Sequence, residues 1–283
     1  MALRIQNNVE AFNAHRQLTG TAAKAAKAME KLSSGYRVNR AADDAAGLAI
    51  SEKMRAQIGG LAQAQRNAQD AVSLVQTGEG ALNEVHSMLQ RVRDLKVQYD
   101  AGTLSAEDKK AIVAEVAQLG KEISDISSKT EFNGLKLLDG EAFTFTVGAN
   151  SADTIALTTA SLSGIAASGG VQELINVGSA SAYDADASSA AFEAIKIEDI
   201  DTMITNVSDA RSTFGAVQNR LEHRLANLAT YQENLVASES RIRDVDMAAE
   251  MVNFTKLQIL QQAGTSMLAQ ANQAPQGVLS LLR

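Results

Sequence analysis

The chain has 283 residues and a formal net charge of −7, with 45% hydrophobic residues but only 4% aromatics, no Trp, no Cys and a single Pro, at 275. Ala, Leu, Val and Ile must therefore build the core, which favours long packed helices, and the missing Cys excludes disulfide scaffolds, thiol nucleophiles and Cys-ligated zinc. Charge runs from +5 in residues 1–40 through −13 in 41–240 to +1 in 241–283, and the basic segment has only Phe12 and Tyr36 as rings, which argues against nucleic acid as a partner.

In chain order, Leu3, Ile5, Val9, Phe12 and Leu18 open a helix that continues through an Ala- and Lys-rich stretch to Leu32. Ser33-Ser34-Gly35 stops it, and Asp43-Asp44 suits the start of the next helix, as cap and as negative charge at a helix N-terminus. Val72, Val75, Leu82, Val85, Leu89, Val92, Leu95 and Tyr99 then mark one stripe along a helix of about forty residues, starting near Leu48 or Gly60. Ala101-Gly102-Thr103 ends that helix. Ser105 with Asp108 three positions on resembles a capping box, and Ile112, Val116, Leu119, Ile123 and Ile126 stripe a further helix up to Phe132-Asn133-Gly134.

The period then changes from helical to alternating. Leu135–Leu138, a turn at Asp139-Gly140, and Phe143, Phe145 and Val147 predict a hairpin, to which Ile155-Ala156-Leu157 adds a strand. Residues 160–191 are Ala, Ser or Gly at 20 of 32 positions and lack Lys and Arg, so they bury little and face solvent. A third striped helix runs from about Ile200 to Val245 through Phe214, Leu221 and Leu228. The C-terminal segment carries Val252, Phe254, Leu257, Ile259, Leu260, Met267 and Leu268, closing with Val278, Leu279, Leu281 and Leu282. The expected fold is mainly α: a long antiparallel bundle or coiled coil with a small β-hairpin excursion and paired terminal helices.

The two ends, paired with each other, hold too few large side chains to fold as an isolated pair. Either they dock on the bundle and complete a monomeric core, or further copies of the chain supply the missing contacts. Periodicity alone leaves both open. Chemistry is easier to exclude. His15, His86 and His223 lie on separate helices without a zinc-protease spacing, Gly78-Glu79-Gly80 lies within a helix and is no phosphate loop, and no Ser has a nucleophile-elbow context. No enzyme activity, metal or cofactor is expected. Asn206-Val207-Ser208 and Asn253-Phe254-Thr255 fit the N-glycosylation pattern, but both fall in helical sequence. No apolar run reaches the ~18–20 residues that span a bilayer, and the start MALRIQNNVEAF has no signal-peptide core, which read by itself suggests a cytoplasmic chain.

Two long blocks carry a resemblance. The first holds KLSSGYRVNRAADDAAGLAIS at 31–51, followed by AQRNAQDAVSLVQTGEGALNEV and FNGLKLLDG. The second holds FGAVQNRLEH at 214–223, ENLVASESRIRDVDMAAE at 233–250 and LAQANQAPQGVLSLLR at 268–283. The chain resembles bacterial flagellin, in a short form with a minimal middle region. That resemblance implies a subunit that self-assembles into the helical flagellar filament for swimming motility, exported unfolded without a cleaved signal, which replaces the cytoplasmic reading with an extracellular one. It implies an inner terminal coiled-coil domain of residues 1–40 plus 243–283, a bundle domain of 41–138 plus 196–242, and an outward-facing segment at 139–195, whose Ser/Thr-rich stretch 151–189 is open to O-linked sugars.

It further implies a filament-core interface at Leu3, Ile5, Val9, Phe12, Leu257, Leu260, Leu268, Leu279 and Leu282. The break becomes a spoke, with Arg37, Arg40, Asp43 and Asp44 as inter-subunit candidates, and the helix-stop reading of the same residues stays true beside it. Arg91, Leu95 and Glu115 match the segment used for subunit contact and recognised by the vertebrate innate flagellin receptor. The plainer reading of that segment is a core stripe with solvated arginines. Lys96 stands where many relatives have Ala. Implied partners are further copies of the chain, flagellar cap and hook-associated proteins, the export apparatus and an export chaperone, with no nucleic acid and no membrane. The alternative is a hook-filament junction protein with the same terminal motifs; a monomeric adhesin or lipid-surface protein with amphipathic ends is a third class.

Overall fold

In this computed structural model, residues 8–150, 152–158 and 192–281 are described, with side chains described up to 273. The elements are α1 (Val9–Ser34), α2 (Ala45–Tyr99), α3 (Ala106–Lys129), β1 (Glu131–Phe132), β2 (Leu135–Lys136), β3 (Ala142–Thr146), β4 (Thr154–Thr158), α4 (Ile197–Arg243) and α5 (Met247–Leu281). The architecture is mainly helical, as the stripes predict. The expected core residues Leu3, Ile5 and Leu282 and the Ala/Ser/Gly-rich stretch 160–191 lie outside the described residues, as does the side chain of Leu279.

Local chemistry sets most boundaries. The Asn8 side chain caps α1 by accepting the Ala11 N–H at 3.1 Å. Gly35, at φ 75°, ends the helix in the left-handed conformation and donates its N–H to the Lys31 carbonyl at 2.9 Å. Asp44 Oδ1 accepts the Gly47 N–H at 2.8 Å, so α2 starts at once after the break. It runs 55 residues instead of the expected forty, because Gly59-Gly60 stays helical. The capping box forms as the spacing predicts: Ser105 accepts from Asp108 N–H, and the Asp108 carboxylate accepts from Ser105 N–H, each at 3.2 Å. Asp246 Oδ1 caps α5 by accepting the N–H groups of Ala248 and Ala249.

The strands pair differently from the expected hairpin. Leu135 does not lead into a turn toward Phe143; β2 folds back on β1, with Phe132 opposite Leu135. The reason is Asn133-Gly134, both at positive φ (51° and 78°), which makes a two-residue hairpin turn where the sequence suggests only a helix stop. β3 is thereby free to pair with β4, Phe143 opposite Leu157 and Phe145 opposite Ile155. The excursion is two small antiparallel sheets.

The chain divides into two compact units, a central one (Gly59–Gln232) and a terminal one (Met1–Ile58 with Glu233–Arg283). Large side chains fill the core of the central unit: Leu82, Leu89, Val92 and Leu95 of α2, Val116 and Ile123 of α3, Leu137 and Leu138 after β2, Leu157 of β4, and Val207, Phe214 and Leu221 of α4. Gly78 is what lets Phe214 in, since a Cβ there would collide with the ring. In the terminal unit α1 and α5 run antiparallel, with Asn8 Nδ2 donating to the Ala271 carbonyl at 2.7 Å and Leu18 packing against Gly264. Buried or half-buried positions recur every three or four residues on α1, at Ala11, Ala14, Leu18, Thr21, Ala25 and Ala28, and at gaps of three, seven, four and three on α5, at Phe254, Leu257, Gly264, Leu268 and Ala271. The seam is built largely of small residues.

Candidate functional site

Beside Leu18, Phe254, Leu257 and Leu268 the seam uses small residues, and several large apolar ones lie outside it. Of the positions expected at an interface, Phe12 is 71% exposed, and Val9 and Leu260 are also exposed; Leu257 is buried against Ala25 and Ala28, and Leu268 is half-buried. Beside them, Met29 on α1 and Met251, Val252, Ile259 and Met267 on α5 face solvent. Met251, Val252, Thr255, Lys256, Ile259 and Leu260 line an open groove of about 490 Å³. The positions 252, 259 and 260, 267 repeat at seven residues off the seam. That repeat is the signal by which the sequence could have marked Val252, Ile259 and Met267 as a second face. An apolar groove left open between Met251, Val252, Ile259 and Leu260 is what an interface looks like before it is covered.

The break between α1 and α2 meets the break between α4 and α5. Tyr36 and Asp244 form an antiparallel bridge; the Arg243 carbonyl accepts Arg37 N–H at 2.7 Å, and Val245 N–H donates to the Gly35 carbonyl at 3.0 Å. Arg243 lies over the Tyr36 ring at 4.7 Å and pairs with Glu52 at 2.8 Å, which holds the Glu52 carboxyl below its ordinary range. Arg37 Nη2 donates to the Ile242 carbonyl at 2.7 Å, closing the end of α4.

Asp43 pairs with Lys27 at 2.6 Å and accepts the N–H groups of Arg40 and Asn39. The Lys27 hydrogen bond first, and the Arg40 backbone second, pull its pKa down to about 2. Glu30 accepts from Asn39 Nδ2 and Arg40 Nε, both at 2.8 Å, and its carboxyl is lowered by those two bonds in that order. Arg37, Arg40, Asp43 and Asp44 are therefore all engaged within one chain, Asp44 as the helix cap. Lys27, Glu30, Tyr36, Glu52 and Arg243 complete the joint. Sequence reading misses Arg243 because no local pattern links it to a ring 207 positions earlier.

On the central unit Arg91 and Glu115 come together, Nε and Nη2 both 2.8 Å from one carboxylate oxygen, with both side chains largely exposed. Leu95 is only 2% exposed and belongs to the core. Next to it Lys96 is buried, its ammonium 3.1 Å from Asp100 and 3.3 Å from the Phe192 carbonyl, and 5.2–5.3 Å from the ring centres of Phe192 and Tyr99.

Among the described residues no group of three His, Cys, Asp or Glu side chains is placed to hold a metal ion, and no helix is long and apolar enough to cross a membrane. The family model of the bacterial flagellin N-terminal helical region matches residues 5–142, and that of the C-terminal helical region matches 197–282. The chain belongs to the bacterial flagellins. It is 52% identical to a flagellin of Halalkalibacterium halodurans, over 99% of both chains. It is 47% identical to a flagellin of Bacillus subtilis, over 99% of this chain and all of the other. A solved structure of a putative flagellar hook-associated protein from Vibrio parahaemolyticus aligns with a TM-score of 0.56 at 14% identity, covering 71% of this chain and all of that one. That likeness is one of fold, and the hook-filament junction alternative is the less supported of the two readings.

This flagellin is a self-assembling subunit of the extracellular flagellar filament and serves motility. Its role is structural and not catalytic.

Proposed function

We propose that the exposed apolar face of α1 and α5 is the surface through which copies join in the filament. Residues 1–40 plus 243–283 form its inner tube, 41–138 plus 196–242 the surrounding shell, and 139–195 the outward segment. The observation that supports this most is the placement of Val9, Phe12 and Leu260 outside a seam that small residues already close. Leu3, Ile5, Leu279 and Leu282 belong to the same contact between copies, and Leu257 and Leu268 brace the exposed face from behind.

Asp43 and Asp44 fix the turn internally, while Arg37 and Arg40 keep unsatisfied donors for a neighbouring subunit; the Arg40 side chain is 71% exposed. On the central unit Arg91 and Glu115 present one polar contact for a neighbour or for the vertebrate innate receptor, with Leu95 holding the helix beneath them. Cap and hook-associated proteins meet the same terminal face at the ends of the polymer. Before assembly an export chaperone shields it, and the export apparatus passes the chain unfolded without removing a signal.

Seeded assembly tests the reading. Phe12→Asp and Leu260→Asp place a charge on the outer face, where the isolated chain tolerates it, and both should abolish elongation while the circular dichroism of the central unit is retained. Elongation at the unsubstituted rate would refute the proposal.

A further inference from the structure

Sulfur is unevenly placed in this chain. It has eight Met and no Cys, so thioethers are its only readily oxidised side chains. In the central unit Met203 is buried and Met88 half-buried. In the terminal unit Met54 is half-buried, whereas Met29, Met247, Met251 and Met267 are all about half exposed or more, from 48% to 64%. Three of them lie on α5, and Met251 lines the open groove with Val252, Ile259 and Leu260. Leu or Ile would supply the same apolar area, and Met adds a reactive atom at the surface.

We propose that Met29, Met247, Met251 and Met267 are separate modification sites at which hydroperoxides decide whether an unassembled subunit can join the polymer. The sulfur lone pair attacks the outer peroxide oxygen; an S–O bond forms, the O–O bond breaks, and a proton shift releases the alcohol, or water where the oxidant is hydrogen peroxide. Each thioether loses two electrons and the peroxide gains them. The sulfoxide is a strongly polar acceptor; in the groove Thr255 already donates to the Met251 carbonyl and, among the described residues, Lys256 is the one further side-chain donor, so burying several sulfoxides between copies is unfavourable. Oxidised subunits stay out, while subunits already packed keep their thioethers covered. This rests on the reading of α1 and α5 as the assembly face.

The test treats unassembled full-length chain and preformed filaments with hydrogen peroxide, maps the products by peptide mass spectrometry, and measures seeded elongation. In the unassembled chain the four exposed thioethers should oxidise well before Met88 and Met203, and elongation should slow at least tenfold. Reduction by methionine sulfoxide reductases of both stereospecificities should restore it. A chain carrying Met29→Leu, Met247→Leu, Met251→Leu and Met267→Leu should elongate equally with and without peroxide. Undiminished elongation of a chain oxidised at all four positions overturns the proposal, as does failure of the reductases to restore it; the reductase arm decides even if the Leu variant does not assemble. Equal oxidation rates in filament and free chain would instead refute the placement of this face inside the polymer, which separates that failure from the other.

Discussion

The two units of this flagellin solve the same packing problem in opposite directions. In the central unit the large side chains point inward: Leu82, Leu89, Phe214 and Leu221 are almost fully buried, and a glycine gives way where Phe214 needs room. In the terminal unit Ala25, Ala28 and Gly264 hold the seam, and Phe12, Val252 and Ile259 look outward. Burial of a large aliphatic or aromatic side chain contributes roughly 1.5–3 kcal/mol, and an alanine far less. The central helices are thus held by their own chain. The terminal pair gains little from its seam, and isolated helices draw most of their stability from packing. The difference separates what folds a subunit from what joins subunits.

The strongest way to sharpen that contrast is to remove most of the terminal unit. A chain without residues 1–40 and 243–283 should unfold cooperatively in denaturant, as a folded domain does, and should form no filaments on seeds. Loss of cooperative unfolding would show that the central core needs the ends. Phe214→Ala comes next: it empties the centre of the core and should cost about 3–5 kcal/mol in chemical denaturation of that truncated chain. Ala28→Leu inverts the logic of the seam. Overpacking there should cost about 1–3 kcal/mol and slow seeded elongation, with the denaturation of the central unit unchanged.

Acid probes the joint. Asp43 titrates at about 2 in the folded joint, against an ordinary value of 3.8, so its contribution is complete above that ordinary value. It is lost as pH falls from 3.8 toward 2. Asp43→Asn should flatten this part of the acid disassembly curve of seeded filaments, followed by light scattering, and an unchanged curve would argue against the Lys27 tie. Arg91→Ala should have the smallest effect, within about 1 kcal/mol on the central unit, because the pair with Glu115 is exposed. A larger loss would give that surface pair a role in the core.

Periodicity made the long helices legible: the stripe from Val72 to Tyr99 and the Ser105–Asp108 box appear where the spacing places them. The strand pairing was less legible, because Asn133-Gly134 reads equally as a helix stop and as a hairpin turn, and the positive φ of both residues, which folds β2 back on β1, decides it. The terminal seam was hidden for a physical reason. Pattern reading follows large residues, and here the pairing interface uses small ones, so Phe12 and Leu260 point away from the partner helix. The joint was half visible. Asp44 as a cap follows from local spacing, whereas Arg243 over Tyr36 depends on the fold bringing two distant breaks together.

Amide hydrogen exchange bears most directly on the claim that assembly, not the subunit's own seam, gives the terminal helices their stability. Compared between a dilute unassembled sample and filaments, the amides of Val9–Leu32 and Val252–Ala271 should exchange rapidly in the first and slowly in the second, with those of Leu82–Leu95 protected in both. Strong protection of both terminal helices in the unassembled chain would contradict the account.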